Sequence, residues 1–338
     1  MSLETFIRNM PKVELDLLLE GSIRSDTLQI IAEQNDIPFT FRQFKQWMDV
    51  FNHPDFQKMD PLLQTVANWL QQPEDLSRIV YELGVSLAKQ NIHYAEIGFI
   101  PTLYTNMTFE QILAAINDGR SRVERGWNVR LAWILQLPRN QIRRVDEVVR
   151  WATSTSARMN GIVGIGLIGR DDLPPVEDFE RPFQNARKKG VGCAISAGDS
   201  RGSNGIIAAI HHLQPTRIVG GWGADKSDDA SSLLSENSIG LVTHLSYALA
   251  MKQVHKAVDY PIMDLLKRNV PVIIGSAMPA YLNTSLTQEY LAFANTFSLD
   301  REIIETITIN AIRCSFLDAD EKNKLINKFQ QDFQSLST

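Results

Sequence analysis

Short apolar runs ending in glycine, proline or a polar residue recur along this chain, each followed by a longer segment with helical spacing. That alternation restricts the fold more than any other feature. The runs fall at 13–19, 93–99, 130–136 and 161–167, then at 191–196, 217–219, 240–243 and 271–275. Helical stretches among them include 108–125, 141–159, 179–189, 204–213 and 261–269. Strands that are apolar throughout are buried on both faces, which describes a parallel sheet covered by helices. About eight such repeats predict an α/β fold closed into a (β/α)8 TIM barrel. A doubly wound open sheet is the alternative, but no Gly-x-Gly-x-x-Gly opens a helix after the first strand.

About seventy residues separate the first two strands, far more than a βα unit needs. They read as helices over 24–35, 41–51 and 60–89, an insertion of about 36–90 emerging where barrels bind ligands, and so predict a lid. The aromatic set Phe39, Phe41, Phe44, Trp47 and Phe51 fits ordinary packing within it. Helices over 287–298, 300–313 and 320–333 form a C-terminal cap spanning 285–338. No linker, repeat or low-complexity stretch divides the chain, so residues 1–338 are expected to form one domain.

The chain has 338 residues, 44% of them hydrophobic, enough for a large core. A net charge of −5 argues against a nucleic-acid polymer or an anionic membrane as partner and leaves a small molecule or a protein. Cys193 and Cys314 lie far apart in apolar surroundings and read as reduced core thiols. The N-terminus has no basic region leading into an apolar stretch, and no run of about 18 apolar residues occurs, so a cytoplasmic protein is expected.

Barrel chemistry sits at strand C-termini. The first strand offers Asp16, Leu18 and Glu20, the third ends at Gln136, and the fourth leads into Gly169 to Asp172. The later strands end near Ser196 to Asp199, Gly220, His244 and Ser276 to Met278. This is a poor set for a divalent metal, since zinc takes about three or four His, Cys or carboxylate ligands. Asp16, Asp199 and His244 project to one rim, and a histidine with two carboxylates can do acid–base work without metal. The bland alternatives are a hydrogen-bonded structural role for His244 and a helix N-cap role for Asp199.

Several motifs together resemble the adenosine deaminases, in order and across nearly the whole chain. They are Pro11-Lys12-Val13-Glu14-Leu15 with Leu19-Glu20-Gly21, then Tyr94-Ala95-Glu96-Ile97 with Phe99 and Pro101. Ala197-Gly198-Asp199, Arg217-Ile218 with Gly221, Leu286 to Tyr290 and Asn310 to Leu317 complete the set. The resemblance implies a (β/α)8 barrel that hydrolyses the 6-amino group of purine nucleosides with a zinc-bound water. It also implies that the positions of the metal ligands and proton-handling groups fall on Asp16, Leu18, Ser196, Asp199, Gly220, Ala277 and Met278. Of these, only Asp16 keeps a hard donor in a ligand position. Glu20 stands where the family contacts a ribose hydroxyl, and Gly169 where backbone meets the purine, although a turn cap and a turn glycine account for them equally simply.

The expectation is an adenosine deaminase-like barrel without zinc or other cofactor, a pseudoenzyme holding a purine-like small molecule or a protein partner. A metal-independent hydrolase or lyase using Asp16, Asp199 and His244 is the alternative. An active zinc-dependent deaminase is the third reading.

Overall fold

The computed structural model describes residues 1–37, 59–172 and 174–336. The expected helix at 41–51 and its aromatic residues lie outside them. Eight parallel strands follow one another around the sheet: β1 Lys12–Leu18, β2 Ile92–Phe99, β3 Arg130–Pro138, β4 Ile162–Ile168, β5 Gly192–Ala197, β6 Arg217–Gly220, β7 Gly240–Thr243 and β8 Val272–Ile274. The ring closes just beyond β8: Ala277 N donates to the Asp16 carbonyl and Leu18 N to the Ala277 carbonyl, both at 2.9 Å. Ala277 reaches this position with φ of +55°, a left-handed conformation that closure imposes on a residue with a Cβ. The (β/α)8 barrel read from the apolar runs is the fold observed.

Strand alternation sets the two faces. On β1, Val13, Leu15 and Leu17 are buried on one face, while Glu14 and Asp16 share the other with Leu18. Among the described residues no helix is long and apolar enough to cross a membrane. Both cysteines are free and buried.

Two long helical readings are broken in the structure. The segment 60–89 is two helices, Met59–Trp69 and Pro73–Lys89. Proline at the first helical position starts the second, and the Asp75 carboxylate accepts the Gln71 and Gln72 N–H groups at 3.0 Å. Asn35 ties the break to the preceding helix Ser25–Gln34 by donating to Asp75 and to the Trp69 carbonyl. The segment 141–159 is likewise divided, into a 3₁₀ stretch Arg139–Arg144 and helices Val145–Ala152 and Thr155–Met159. There Ser154 accepts from Ala157 N and restarts the chain as an N-cap. The C-terminal helices Leu286–Phe297, Arg301–Arg313 and Ala319–Ser335 match the expected cap to within a few residues.

The strand N-termini are stoppered by side chains. Glu96 of β2 and Arg217 of β6 form an ion pair with no exposure on either side. Arg217 also donates to the Cys314 carbonyl at 2.8 Å and lies 4.1 Å over the Phe316 ring. Glu96 in turn accepts from the Tyr94 hydroxyl and from Phe316 N. The Phe316 ring lies against two strand glycines: a Cβ at Gly164 would come within 2.5 Å of it and one at Gly192 within 2.2 Å. Gly192→Ala is therefore expected to lower stability by about 1–3 kcal/mol through overpacking. Urea unfolding measures this, and an unchanged midpoint would show that the Phe316 stopper is loosely seated.

Candidate functional site

At the opposite, C-terminal end of the strands lies a cavity of about 1150 Å³. Asp16 and Leu18 of β1, Gln136 of β3, Ser196 of β5, Gly220 of β6 and Met278 after β8 all line it. Asp199, His244 and Gly169 face the same space. Glu20 is not among its lining residues.

Asp16 and His244 meet directly: Oδ2 and Nε2 are 2.8 Å apart, with the imidazole nearly buried and the carboxylate 19% exposed. Burial of the ring, the largest influence, pulls its pKa down. Contact with Asp16, assisted by the charges of Glu289 and Glu14, outweighs burial and leaves the net shift upward. His244 is held from behind by Glu289 of helix Leu286–Phe297, whose Oε2 accepts Leu245 N at 2.8 Å and Ser246 N at 3.2 Å. That carboxylate caps helix Leu245–Ala250, which starts immediately after His244 and has no side-chain cap of its own. Beneath Asp16, buried Glu14 accepts from the Ser276 hydroxyl at 2.5 Å and from Asp16 N at 3.1 Å. Burial pushes its carboxyl up to about 7.

Asp199 sits across the cavity and accepts from the Gln253 amide at 2.8 Å. It is not the N-cap of helix Gly202–Leu213, where Arg201 holds that position without a side-chain bond. The turn before that helix is held by Asp171, whose carboxylate accepts Gly198 N and Ser200 N at 2.7 Å and Arg201 N at 3.1 Å. Burial, with the nearby Asp171 charge, raises Asp199 from 3.8 to about 6. A carboxyl whose folded pKa is raised contributes stability that is present below its unfolded pKa and lost as pH rises through the folded value. Between pH 4 and 7 this group should remove roughly 1–2 kcal/mol, after allowance for its partial exposure. Asp199→Asn is expected to flatten that part of the profile, read as melting temperature against pH, and an unaltered profile would place the carboxyl in the ordinary range.

Glu20 is pinned away from the cavity. Its Oε1 accepts Ile100 N at 2.9 Å and the Tyr104 hydroxyl at 2.8 Å, tying the end of β1 to the loop after β2. It is 1% exposed. Gly169 turns the chain after β4 with φ of +98° and also lines the cavity, so the turn and the lining role coincide.

Among the described residues no group of three or more His, Cys, Asp or Glu is placed to hold a metal ion. At the cavity floor Leu18, Gly220, Ala277 and Met278 supply no hard donor, and Asp16 faces an imidazole. The three or four converging ligands that zinc takes are not found among the described residues lining the cavity. Arg139 lines the cavity, Asp171 holds the turn before helix Gly202–Leu213 and Gln253 engages Asp199, and none of the three was singled out from sequence. The available signal was position: Arg139 and Asp171 each follow a strand end within three residues.

The model of the family described as adenosine deaminase matches residues 11–332. The aminodeoxyfutalosine deaminase of Streptomyces avermitilis is 27% identical over 328 residues, covering 96% of this chain and 91% of the relative. The adenosine deaminase of Clostridium perfringens is 27% identical over 324 residues, covering 94% and 97%. Among solved structures, an adenine deaminase from Arthrobacter aurescens superposes with a TM-score of 0.87 at 22% identity, covering 95% of this chain and 98% of that one.

Proposed function

We propose that this chain, which belongs to the adenosine deaminase family, has given up zinc-dependent deamination and retains the barrel cavity to bind a purine-like small molecule. The observation that carries the reading is the donor set at the strand ends, where Leu18, Ser196, Gly220, Ala277 and Met278 stand with only Asp16 and Asp199 as carboxylates. Hydrolytic deamination needs a hydroxide at neutral pH, which zinc supplies by lowering the pKa of bound water from about 15.7 to about 7. Leu18 and Met278 also make the floor apolar, where an unpaired cation costs several kcal/mol. In this reading the cationic partner of Asp16 is the His244 imidazolium.

The cavity supports retained binding. At about 1150 Å³ it is large enough for a nucleoside-sized ligand. It is not filled by Met278, which packs back against Gly21. An acid–base site built from Asp16, Asp199 and His244 is the lesser reading, because Asp16 is engaged by His244 and Asp199 by Gln253.

The test is metal analysis of protein purified without chelators, with a deamination assay and a thermal-shift screen of adenine, adenosine and nucleotides. The expected result is zinc far below one equivalent, no ammonia release, and a stabilised melt with at least one purine. A ligand at a hundred times its Kd stabilises by about 2.7 kcal/mol. Stoichiometric zinc with turnover would overturn the reading. A melt unmoved by any purine at millimolar concentration would move the role to a protein partner.

A further inference from the structure

We propose that the end of the barrel opposite the cavity is a docking face for an anionic phospholipid surface, with Trp127 and Met159 as its apolar contacts and the arginines and lysines around them as its charge. The inference is independent of what the cavity binds. It starts from three turns. Helix Phe109–Trp127 leads into β3 through Asn128, in the left-handed conformation with φ of +52°. Helix Thr155–Met159 leads into β4 through Gly161 with φ of +85°, and helix Glu180–Lys188 into β5 through Gly190 with φ of +74°. Left-handed residues of this kind stop a helix and turn the chain within a few positions, so the last helical side chains are left at the rim beside the strand N-termini.

The three turns form one surface. Strands β3, β4 and β5 are hydrogen-bonded neighbours, so the turns that feed them lie side by side. Arg120 Nη1 donates to the Asn160 carbonyl at 3.4 Å, which joins the first helix to the second turn. A Cβ at Gly190 would lie 3.9 Å from Arg158 Nη2, which sets the third turn beside the second.

Met159 is 82% exposed here and Trp127 40%, the one aromatic among the exposed large hydrophobic residues that are described. Stretches 125–130, 154–161 and 181–191 contain no aspartate or glutamate. Arg125, Arg158, Lys188 and Lys189 are exposed, and none forms an ion pair among the described residues. The bordering carboxylates Glu124 and Glu321 are taken by Arg120 and Arg130. A cation in the last turn of a helix complements its dipole. That role does not call for exposed tryptophan and methionine at two of the three helix ends. The net charge of −5 averages over the whole chain and conceals this end.

Tryptophan settles at the boundary between lipid and water, and lysine and arginine beside it are drawn to anionic headgroups. Trp127 and Met159 stand at helix ends and do not line the barrel cavity. Apolar tips among free cations fit a lipid plane better than a strand of nucleic acid, which takes a basic groove with stacked aromatics. Docked by this face, the barrel would hold its cavity mouth away from the lipid.

Co-sedimentation of the intact chain with vesicles of phosphatidylcholine, alone or with about 30% phosphatidylserine, tests the face. Partitioning is expected to be at least about 20-fold stronger with phosphatidylserine, and to weaken about fivefold for each cation removed in Lys188→Gln and Lys188→Gln/Lys189→Gln. Salt of about 0.5 M should abolish the preference. Trp127→Ser and Met159→Ser should each weaken binding and leave the melting temperature unchanged. Brominated phosphatidylcholine in the same vesicles should quench part of the tryptophan fluorescence, and that part should vanish in Trp127→Phe while binding persists. No preference for phosphatidylserine, or a preference that the lysine and Trp127 variants leave intact, overturns the proposal. Trp127-dependent binding of oligothymidylate that is tighter than binding to vesicles also overturns it and makes the partner a nucleic acid. If a serine variant does not fold, the lysine variants and the quenching comparison with Trp127→Phe decide.

Discussion

Glu96→Ala is expected to lose about 3–5 kcal/mol of stability, because it leaves the Arg217 guanidinium charged and unpaired in the barrel interior. That is a large part of the roughly 5–15 kcal/mol that holds a typical domain folded. The size follows from burial: both members of the pair have no exposure. Arg217 retains bonds to the Cys314 and Leu15 carbonyls at 2.8 and 3.3 Å, but these groups carry no charge to offset its own. Removing the carboxylate also strips acceptors from the Tyr94 hydroxyl and Phe316 N. A Glu96→Met/Arg217→Met double variant should recover part of the loss, since replacing a buried pair by apolar groups is often close to neutral. Recovery is incomplete because two carbonyls lose their donor. Equilibrium urea unfolding of the three variants supplies the numbers, and a Glu96→Ala loss below about 1 kcal/mol would show that the pair is solvated.

The second large effect is expected at Asp16. Asp16→Ala removes the ion-pair partner of a buried imidazole, 2.8 Å away, and leaving a buried polar group unanswered costs about 1–3 kcal/mol. The sign with pH separates this from a packing defect. Because the folded-state pKa of His244 lies above its ordinary value, the pair's contribution is fully present below pH 6.5 and is lost as pH rises through the raised value. The wild-type advantage over Asp16→Ala should therefore be greatest in mild acid and shrink in alkali. Melting curves from pH 5.5 to 9 follow it directly. A gap that does not change with pH would mean that His244 is neutral throughout.

Both variants depend on contacts that the sequence made visible to different degrees. Eight continuous apolar runs sufficed for the barrel, since a strand buried on both faces needs no partner to declare itself. The barrel then places strand ends around one rim, which is why Asp16, Asp199 and His244 could be grouped from positions far apart in the chain. Which of them touch was not legible. The Asp16 to His244 contact depends on β1 meeting the segment after β8, and the capture of Asp199 by Gln253 on how the loop after residue 250 folds back. Glu20 shows the same limit: its place on β1 was clear, but its engagement by Ile100 and Tyr104 follows from the loop after β2.

The helices divide in the same way. Single helices read over 60–89 and 141–159 followed the apolar spacing through Pro73 and Ser154, where a proline at N1 and a serine N-cap begin new helices. Spacing persists across such breaks because the helices on either side still turn apolar faces to one barrel. Arg139 was hidden for another reason. An arginine just past a strand reads as solvated, and only packing makes it a buried cation with two unanswered nitrogens.

The stopper beneath the barrel ties the completion of the core to the order in which the chain is made. Glu96 and Phe316 are 220 residues apart in sequence, and Arg217 and Cys314 are 97 apart. A chain leaving the ribosome can bring β2 and β6 together well before residues 314–316 exist. Until they arrive, the Glu96 and Arg217 pair has an open side to water and Phe316 is absent from its place beside Gly164 and Gly192. Contacts synthesised late in the chain are thus the ones that close this buried pair to water.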